Sequence, residues 1–430
     1  MTNDSVTVIR AARLIDGSGD APLEAPVIVV RGTKIESVLQ GEPPAAIAEQ
    51  ADQVLDFPGC TLLPGLIDMH VHLNLPGNGT PFEQAAREPD GVLGAHTVTA
   101  AKTALDAGIT TVRDCGSRAD TAFHVRRAQE LGFVRGSRMV LAGPPITTTG
   151  GHEWYFGGEA DGPEGVRLKV RSLAKSGADF IKVLGSGGGT PNTKSWLPSF
   201  RPEEFAALVD ETHRLGRKIT IHCLNAAAME QAAAAGADQI EHGWFILDEA
   251  GHQEYVPAVA DSLVAAGVAV TPTLSVGSYA LRATQAKEVL TAEDEAYLRR
   301  WEEMLADNLT HVGRLYEAGV TIVAGSDAGW ASTPFDALPE EVALLCRSGI
   351  PAMSAIQAAT SRAAAVMGRE DEFGSVKPGL AADLIAVQGD PLTNIGALRD
   401  LRLVMQAGTM QAGAGQAGQT AGALATEAAR

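Results

Sequence analysis

Hydrophobic and polar positions change rhythm twice along the chain. From Val6 to Pro64 short apolar runs, "VTVIRAARLIDGSG", "PVIVVRGTKIESVL" and "QVLDFPGCTLLPG", are broken by Gly and Pro at short intervals. That pattern predicts short strands and turns. A helical rhythm surfaces there only around "PPAAIAEQA". From Gly65 to about Met367 eight short apolar runs follow: "LIDMHVHL", "TTVRD", "MVLAGPPI", "DFIKVLG", "KITIHCL", "QIEHG", "AVTPTLS" and "VTIVAGSDAG". Between most of them lie Ala- and Leu-rich helical stretches such as "VTAAKTALDAG", "GVRLKVRSLAKSG", "PEEFAALVDETHRLG" and "AAAMEQAAAAG". Each of these ends in Gly, a common helix stop. From Phe373 to Gln411 strands return in "GSVKPGLAADLIAVQGDP" and "LRLVMQAGTM".

Eight β/α alternations predict a (β/α)8 TIM barrel over residues 65–367. The competing layout is an open doubly wound sheet. It is weakened because no dinucleotide-type glycine fingerprint follows the first strand. The strand-rich ends, 1–64 and 368–411, predict one small β-sandwich domain built from both termini. Residues 412–430, "AGAGQAGQTAGALATEAAR", are low-complexity Ala, Gly and Gln, and predict a flexible tail without chemistry.

Composition adds limits. A chain of 430 residues with 45% hydrophobic and 20% charged positions suits one large barrel plus a smaller domain. The net charge of −18, from 52 acids against 34 bases, argues against a nucleic-acid partner, which calls for a basic face. No apolar run approaches the roughly 20 residues of a membrane span, and "MTNDSVTVIRAARLIDG" lacks a basic region followed by an apolar one. Cys60, Cys115, Cys223 and Cys346 are scattered without paired spacing. They read as reduced thiols in a cytoplasmic protein; Cys223 adjoins a histidine of the site below, and the alternative reading for it is a catalytic thiol.

Barrel enzymes place their chemistry at the C-terminal ends of the strands. There the first run carries His70 and His72, which alternate and so share a face. The fourth carries Lys182, the fifth His222, the sixth His242 and the eighth Asp327. Any one alone has a plain reading: a hydrogen-bonded histidine, a helix-capping aspartate, a lysine snorkelling to the rim. Together, four imidazoles and carboxylates suit zinc or a similar divalent ion. Lys182 lies inside the apolar run Phe180-Ile181-Lys182-Val183-Leu184, where an unpartnered ammonium is costly. An amine beside two dications is expected to shed its proton, add carbon dioxide and become a bridging carbamate.

"GLIDMHVHL", "FIKVLGSGG", "ITIHCLNAAAMEQAAAAGADQIEHG" and "AGSDAG" together resemble the amidohydrolase superfamily, in its binuclear subtype with a carboxylated lysine. Within it the chain is most similar to prolidase-like dipeptidases and to imidazolonepropionase-related proteins, from Val6 to Met410. The resemblance implies that His70, His72 and Asp327 bind the more buried metal and His222 and His242 the second, with carboxylated Lys182 bridging two divalent ions. It implies a bridging hydroxide as nucleophile and Asp327 as its proton carrier. His152, in a TGGH segment, is implied to meet the substrate or the developing oxyanion. Asn225 stands roughly where many dipeptidase relatives carry an extra histidine, which leaves the exact substrate open.

Tyr155, Asn225 and Trp330 are candidate substrate contacts, and Trp154 a candidate pocket or loop anchor. Arg113, Asp114, Thr271 and Thr273 fit ordinary barrel packing or a salt bridge better. The glycines of "GSGGGTPN" suit a tight backbone turn rather than a phosphate cradle, because no Walker lysine pattern accompanies them. The expected activity is hydrolysis of a C–N amide bond in a small molecule, a dipeptide or an N-acyl amino acid, by a homo-oligomer. The alternatives are a carbamate, urea, lactone or organophosphate ester with the same machinery, and a barrel protein that has lost catalysis.

Overall fold

The computed structural model describes residues 5–42 and 44–411, so the expected tail at 412–430 lies outside the described residues. The chain forms two compact units. One comprises the described parts of Met1–Leu66, Leu105–Thr110 and Ala352–Arg430, the other Ile67–Ala104 and Thr111–Pro351.

In the first unit both chain ends share one eight-stranded sheet. Its strands run in the order Thr409–Met410, Leu401–Gln406, Leu384–Gln388, Gln53–Pro64, Val6–Leu14, Pro26–Arg31 and Lys34–Gln40, with Leu23–Glu24 paired to Val6–Leu14. The ends meet where Gln53–Pro64 pairs antiparallel with Leu384–Gln388, Leu63 opposite Ile385. Period-two side chains supply the core: Ile28 and Val30, Leu55 and Phe57, Leu384 and Ala386, Leu403 and Met405 fall in one buried cluster. Their neighbours Val29, Leu63 and Ile385 are buried on the opposite face. This is why these strands read as continuous apolar runs.

In the second unit seven of the eight predicted runs are strands. Leu66–Val71, Ile109–Asp114 and Arg138–Leu141 form one sheet, and Phe180–Leu184, Lys218–Cys223, Gln239–His242 and Ala269–Thr271 another. The four-stranded sheet is parallel throughout and follows chain order. The helices Thr121–Glu130, Gly162–Ser176, Pro202–Arg214, Ala226–Ala235 and Pro257–Ala266 fall between strands as expected. Three of those strands, Phe180–Leu184, Lys218–Cys223 and Gln239–His242, lie side by side with their C-terminal ends together, Thr220 opposite Lys182 and Cys223 opposite His242.

The eighth run, Val320–Gly329, departs from the expectation of a regular strand. It makes single parallel bridges, Val270 to Ile322 on one side and Val71 to Ala328 on the other. Val270 N–H donates to Thr321 O at 2.8 Å, and Asp327 N–H to His70 O at 2.8 Å. The ladder is interrupted because Ser326 N–H turns to the Asp68 carboxylate at 2.9 Å and Asp327 takes a left-handed φ of 57°. The interruption aims the Asp327 side chain away from strand geometry. No helix among the described residues is long and apolar enough to cross a membrane.

Candidate active site

The strand ends converge on one cavity of about 380 Å³, within the range of small-molecule sites. His70, His72, Lys182, His222, His242, Asp327, His152 and Trp330 all line it. The six expected metal ligands are buried: Lys182 is only 1% exposed and His70 also 1%.

Each histidine spends one ring nitrogen on the protein and leaves the other uncommitted to the contacts below. His70 Nδ1 meets Glu241 Oε2 at 2.9 Å, and His72 Nδ1 meets Gly116 O at 3.2 Å. His242 Nδ1 meets Thr273 Oγ1 at 2.7 Å, and His222 uses Nε2 toward Gly187 O at 3.1 Å. Such contacts fix tautomer and ring orientation for a ligand histidine. Burial drives the pKa of all four down, with His72 lowered to about 3, helped by the nearby Lys182. The imidazoles are therefore neutral, with lone pairs available to a cation.

Two of those lone pairs and a carboxylate oxygen face one another. His70 Nε2 and His72 Nε2 are 3.3 Å apart, and Asp327 Oδ1 lies 3.5 and 3.4 Å from them. Ligand atoms about 2.0–2.1 Å from a tetrahedral ion lie about 3.3–3.4 Å from each other. Asp327 Oδ1 is buried and has no hydrogen-bond partner, which is costly unless a cation meets it. His70, His242 and Asp327 also form a donor group of metal-binding dimensions. The donor set thus fits a divalent ion. Burial raises the Asp327 carboxyl to about 7, with Lys182 opposing the rise.

Behind the histidines lies a buried ion pair whose parts the sequence reading had assigned to packing or left out. Arg113 pairs with Glu241, donates to Met69 O at 2.7 Å and to Gln239 Oε1 at 2.7 Å. Burial alone would raise Glu241. The charges of Arg113 and Lys182 and the Thr220 hydroxyl outweigh it and hold the carboxylate below its usual value. Asp114 is structural, accepting from Leu73 N–H at 2.8 Å and Ser117 Oγ at 2.5 Å. Thr273 orients His242, and Gln239 donates to Thr271.

Around the mouth, His152 Nδ1 lies 2.8 Å from Thr190 Oγ1, and its ring stands edge-on to Trp330 at 5.5 Å. Trp330 in turn stacks on Phe82 at 3.4 Å. Burial lowers the His152 pKa to about 3. The glycine run after Lys182 has a local reason here. A Cβ on Gly188 would fall 2.3 Å from His152 Nε2, so any side chain there would displace the imidazole.

Two expected substrate contacts sit elsewhere. Asn225 is the N-cap of Ala226–Ala235, accepting from Ala228 N–H at 2.8 Å and donating to Ser195 O at 2.9 Å. Tyr155 packs with Leu75, Ala85, Ala86 and Phe156, in a cluster that Trp154 and Phe82 also touch, and is not among the cavity-lining residues. Asn225→Ala is therefore expected to cost about 1 kcal/mol of stability through the lost cap. Thermal melts would register that loss, with kcat and KM unchanged.

The sequence reading missed one wall altogether. Tyr297, Arg300, Trp301 and Met304 of the helix Ala292–Glu317 line the cavity, together with Leu224, Trp244 and Ile246. Their i, i+3, i+4, i+7 spacing on one helix face was the available signal. The reading also missed Glu153, buried at the cavity beside His72 and His152.

Comparison with known proteins points the same way. The profile of the Amidohydrolase family matches residues 61–412. The chain belongs to the amidohydrolase family. Ochratoxinase of Aspergillus niger is 28% identical over 433 residues, covering 93% of this chain and 84% of the relative. Imidazolonepropionase of Symbiobacterium thermophilum is 26% identical over 368 residues, covering 77% and 76%. Among solved structures, a Xaa-Pro dipeptidase with bound methionine matches with a TM-score of 0.81 at 30% identity, covering 95% of this chain and 100% of that one. As an amidohydrolase with this donor set, the chain is a metal-dependent hydrolase of an amide bond in a small molecule.

Proposed function

We propose that this amidohydrolase is a binuclear metal enzyme that cleaves the amide bond of a dipeptide or N-acyl amino acid. The reading rests chiefly on one observation: six buried donors from five of the eight runs share a cavity of small-molecule size, with the facing nitrogens of His70 and His72 beside an orphaned Asp327 oxygen. His70, His72 and Asp327 would hold one ion, and His222 and His242 the other. Lys182, carrying a CO2-derived carbamate, would reach both. Zinc suits this nitrogen-rich set. When bound, the ions supply Lewis acidity and a lowered pKa for water.

The chain's own residues supply the rest. Asp327 takes the proton of the attacking water and carries it to the departing nitrogen, a task for which its place in the cavity beside the inward nitrogens of His70 and His72 suits it. His152 faces the scissile carbonyl. Thr190 Oγ1 accepts from Glu153 N–H at 3.1 Å and holds His152 Nδ1 at 2.8 Å. With its Nδ1 side held, His152 presents Nε2 to the developing oxyanion, to which the tautomer protonated there would donate. The apolar wall of Leu224, Trp244, Ile246 and Met304 receives a side chain of the substrate and excludes water.

The closed (β/α)8 barrel belongs to the same proposal, supported by the bridges that Val320–Gly329 makes to both Val270 and Val71. So do the domain division, 1–64 with 368–411 against 65–367, and a sandwich-like curl of the terminal sheet. The latter is supported by the buried cluster formed by one face of all its long strands. The four unpaired cysteines support a reducing, cytoplasmic setting.

Purified protein is expected to carry two divalent ions per chain by elemental analysis. It should lose turnover on chelation and regain it when zinc is returned. Full turnover by rigorously metal-stripped protein would sink the proposal.

A further inference from the structure

Glu153 is a buried carboxylate for which the proposed reaction has no use. It is 3% exposed, and its Oε2 has no hydrogen-bond partner. Its Oε1 lies 3.7 Å from His72 Nε2 and 3.7 Å from His152 Nε2, both beyond hydrogen-bond reach. The backbone holds it there at some cost: Glu153 has a left-handed φ of 55°, which a residue with a side chain adopts reluctantly. The strain is secured by its N–H donating to Thr190 Oγ1. The result is a carboxyl group set into the cavity wall between the His72 that would bind metal and the His152 that would face the carbonyl, and burial raises it to about 8 so long as no counter-charge meets it. Neither donor group of metal-binding dimensions among the described residues includes it.

A buried carboxylate without a partner calls for a cation or strong donors. On the ligand side of this cavity, that counter-charge is one the substrate can bring. Resting on the amide-hydrolase reading above, we propose that Glu153 receives an ammonium group carried next to the scissile carbonyl. The preferred substrate is then a dipeptide with a free α-amine rather than an N-acyl amino acid. Glu153 is a specificity residue: it contacts the substrate's amine and takes no part in moving the proton. Within the apolar wall of Trp244, Ile246 and Met304, the ammonium is the substrate feature that selects one amide from another.

The test compares zinc-loaded protein on apolar dipeptides, such as alanyl-, leucyl- and methionyl-phenylalanine, with the same molecules lacking only the α-amine. Wild type is expected to favour the free amine by about 100-fold in kcat/KM, the scale of a lost charge-assisted hydrogen bond. Glu153→Gln, nearly isosteric, is expected to erase most of that preference through KM, with metal content and melting profile unchanged. Glu153→Asp should restore part of it. Equal or better turnover of the amine-free compounds by wild type would overturn the assignment and leave the amide-hydrolase reading standing. So would a preference that survives Glu153→Gln, or loss of an ion in that variant, which would make Glu153 a ligand. Wild type that hydrolyses neither series at full metal loading would overturn the underlying reading and this inference with it.

Discussion

Asp327→Asn is expected to lower kcat by about three to four orders of magnitude while KM moves by less than about threefold. The amide keeps the shape of the side chain and one oxygen to offer a cation, but it cannot take up a proton. Asp327 Oδ1 stands 3.5 Å and 3.4 Å from the inward nitrogens of His70 and His72 without a hydrogen bond of its own. Burial by itself raises its carboxyl to about 7, and a bound cation opposes that rise, so the proton-carrying role rests on its place at the cavity beside both histidines. Steady-state kinetics with parallel metal analysis separates the two roles of this side chain. A fall in kcat at unchanged metal content supports the proton carrier. A variant within tenfold of wild type would remove Asp327 from the chemistry.

Lys182→Ala is expected to cost at least about a thousandfold in turnover, together with one or both ions. Loss of metal electrostatics amounts to several kcal/mol, and each 1.36 kcal/mol is tenfold in rate. Lys182 is 1% exposed, sits on Phe180–Leu184 opposite Thr220, and lines the cavity with the four histidines. Truncation to Ala leaves room for a small carboxylate. Formate, acetate or propionate at high concentration should therefore restore part of the activity and of the metal content, by standing in for the carbamate oxygens. Two ions retained in Lys182→Ala without added carboxylate would refute the bridging role. Full activity of wild type prepared without carbon dioxide or bicarbonate would refute the modification.

Much of the site was legible because it lies on strands. At the end of Leu66–Val71 an H-x-H pair in extended chain shares a face, and an ionisable residue within an apolar run must have a partner. His70, His72, Lys182, His222 and His242 could therefore be named from spacing and type, and the structure brings them to one cavity. Loop and helix positions were less legible. Asn225 was read as a substrate contact from its place after His222, but an Asn just before an Ala-rich helix is also a strong N-cap, and that is its role here. Tyr155 lies next to residues that line the cavity, and only the turn of Trp154–Phe156 decides that its ring packs down instead.

By itself, the order of residues determined which strands are buried, which ionisable groups end them, and that both chain ends are strand-rich. Those follow from local periodicity and from the cost of burying charge, and both act over a few residues. Only the tertiary structure decided what stands behind and above the histidines. Glu241 and Arg113 meet across 128 positions of sequence, and the helix Ala292–Glu317 brings Arg300 and Trp301 to the cavity. It also decided the left-handed backbones of Glu153 and Asp327, which aim two carboxylates inward. Such contacts depend on chain closure over long separations, and no local pattern encodes which distant partner will fill the space beside a given side chain.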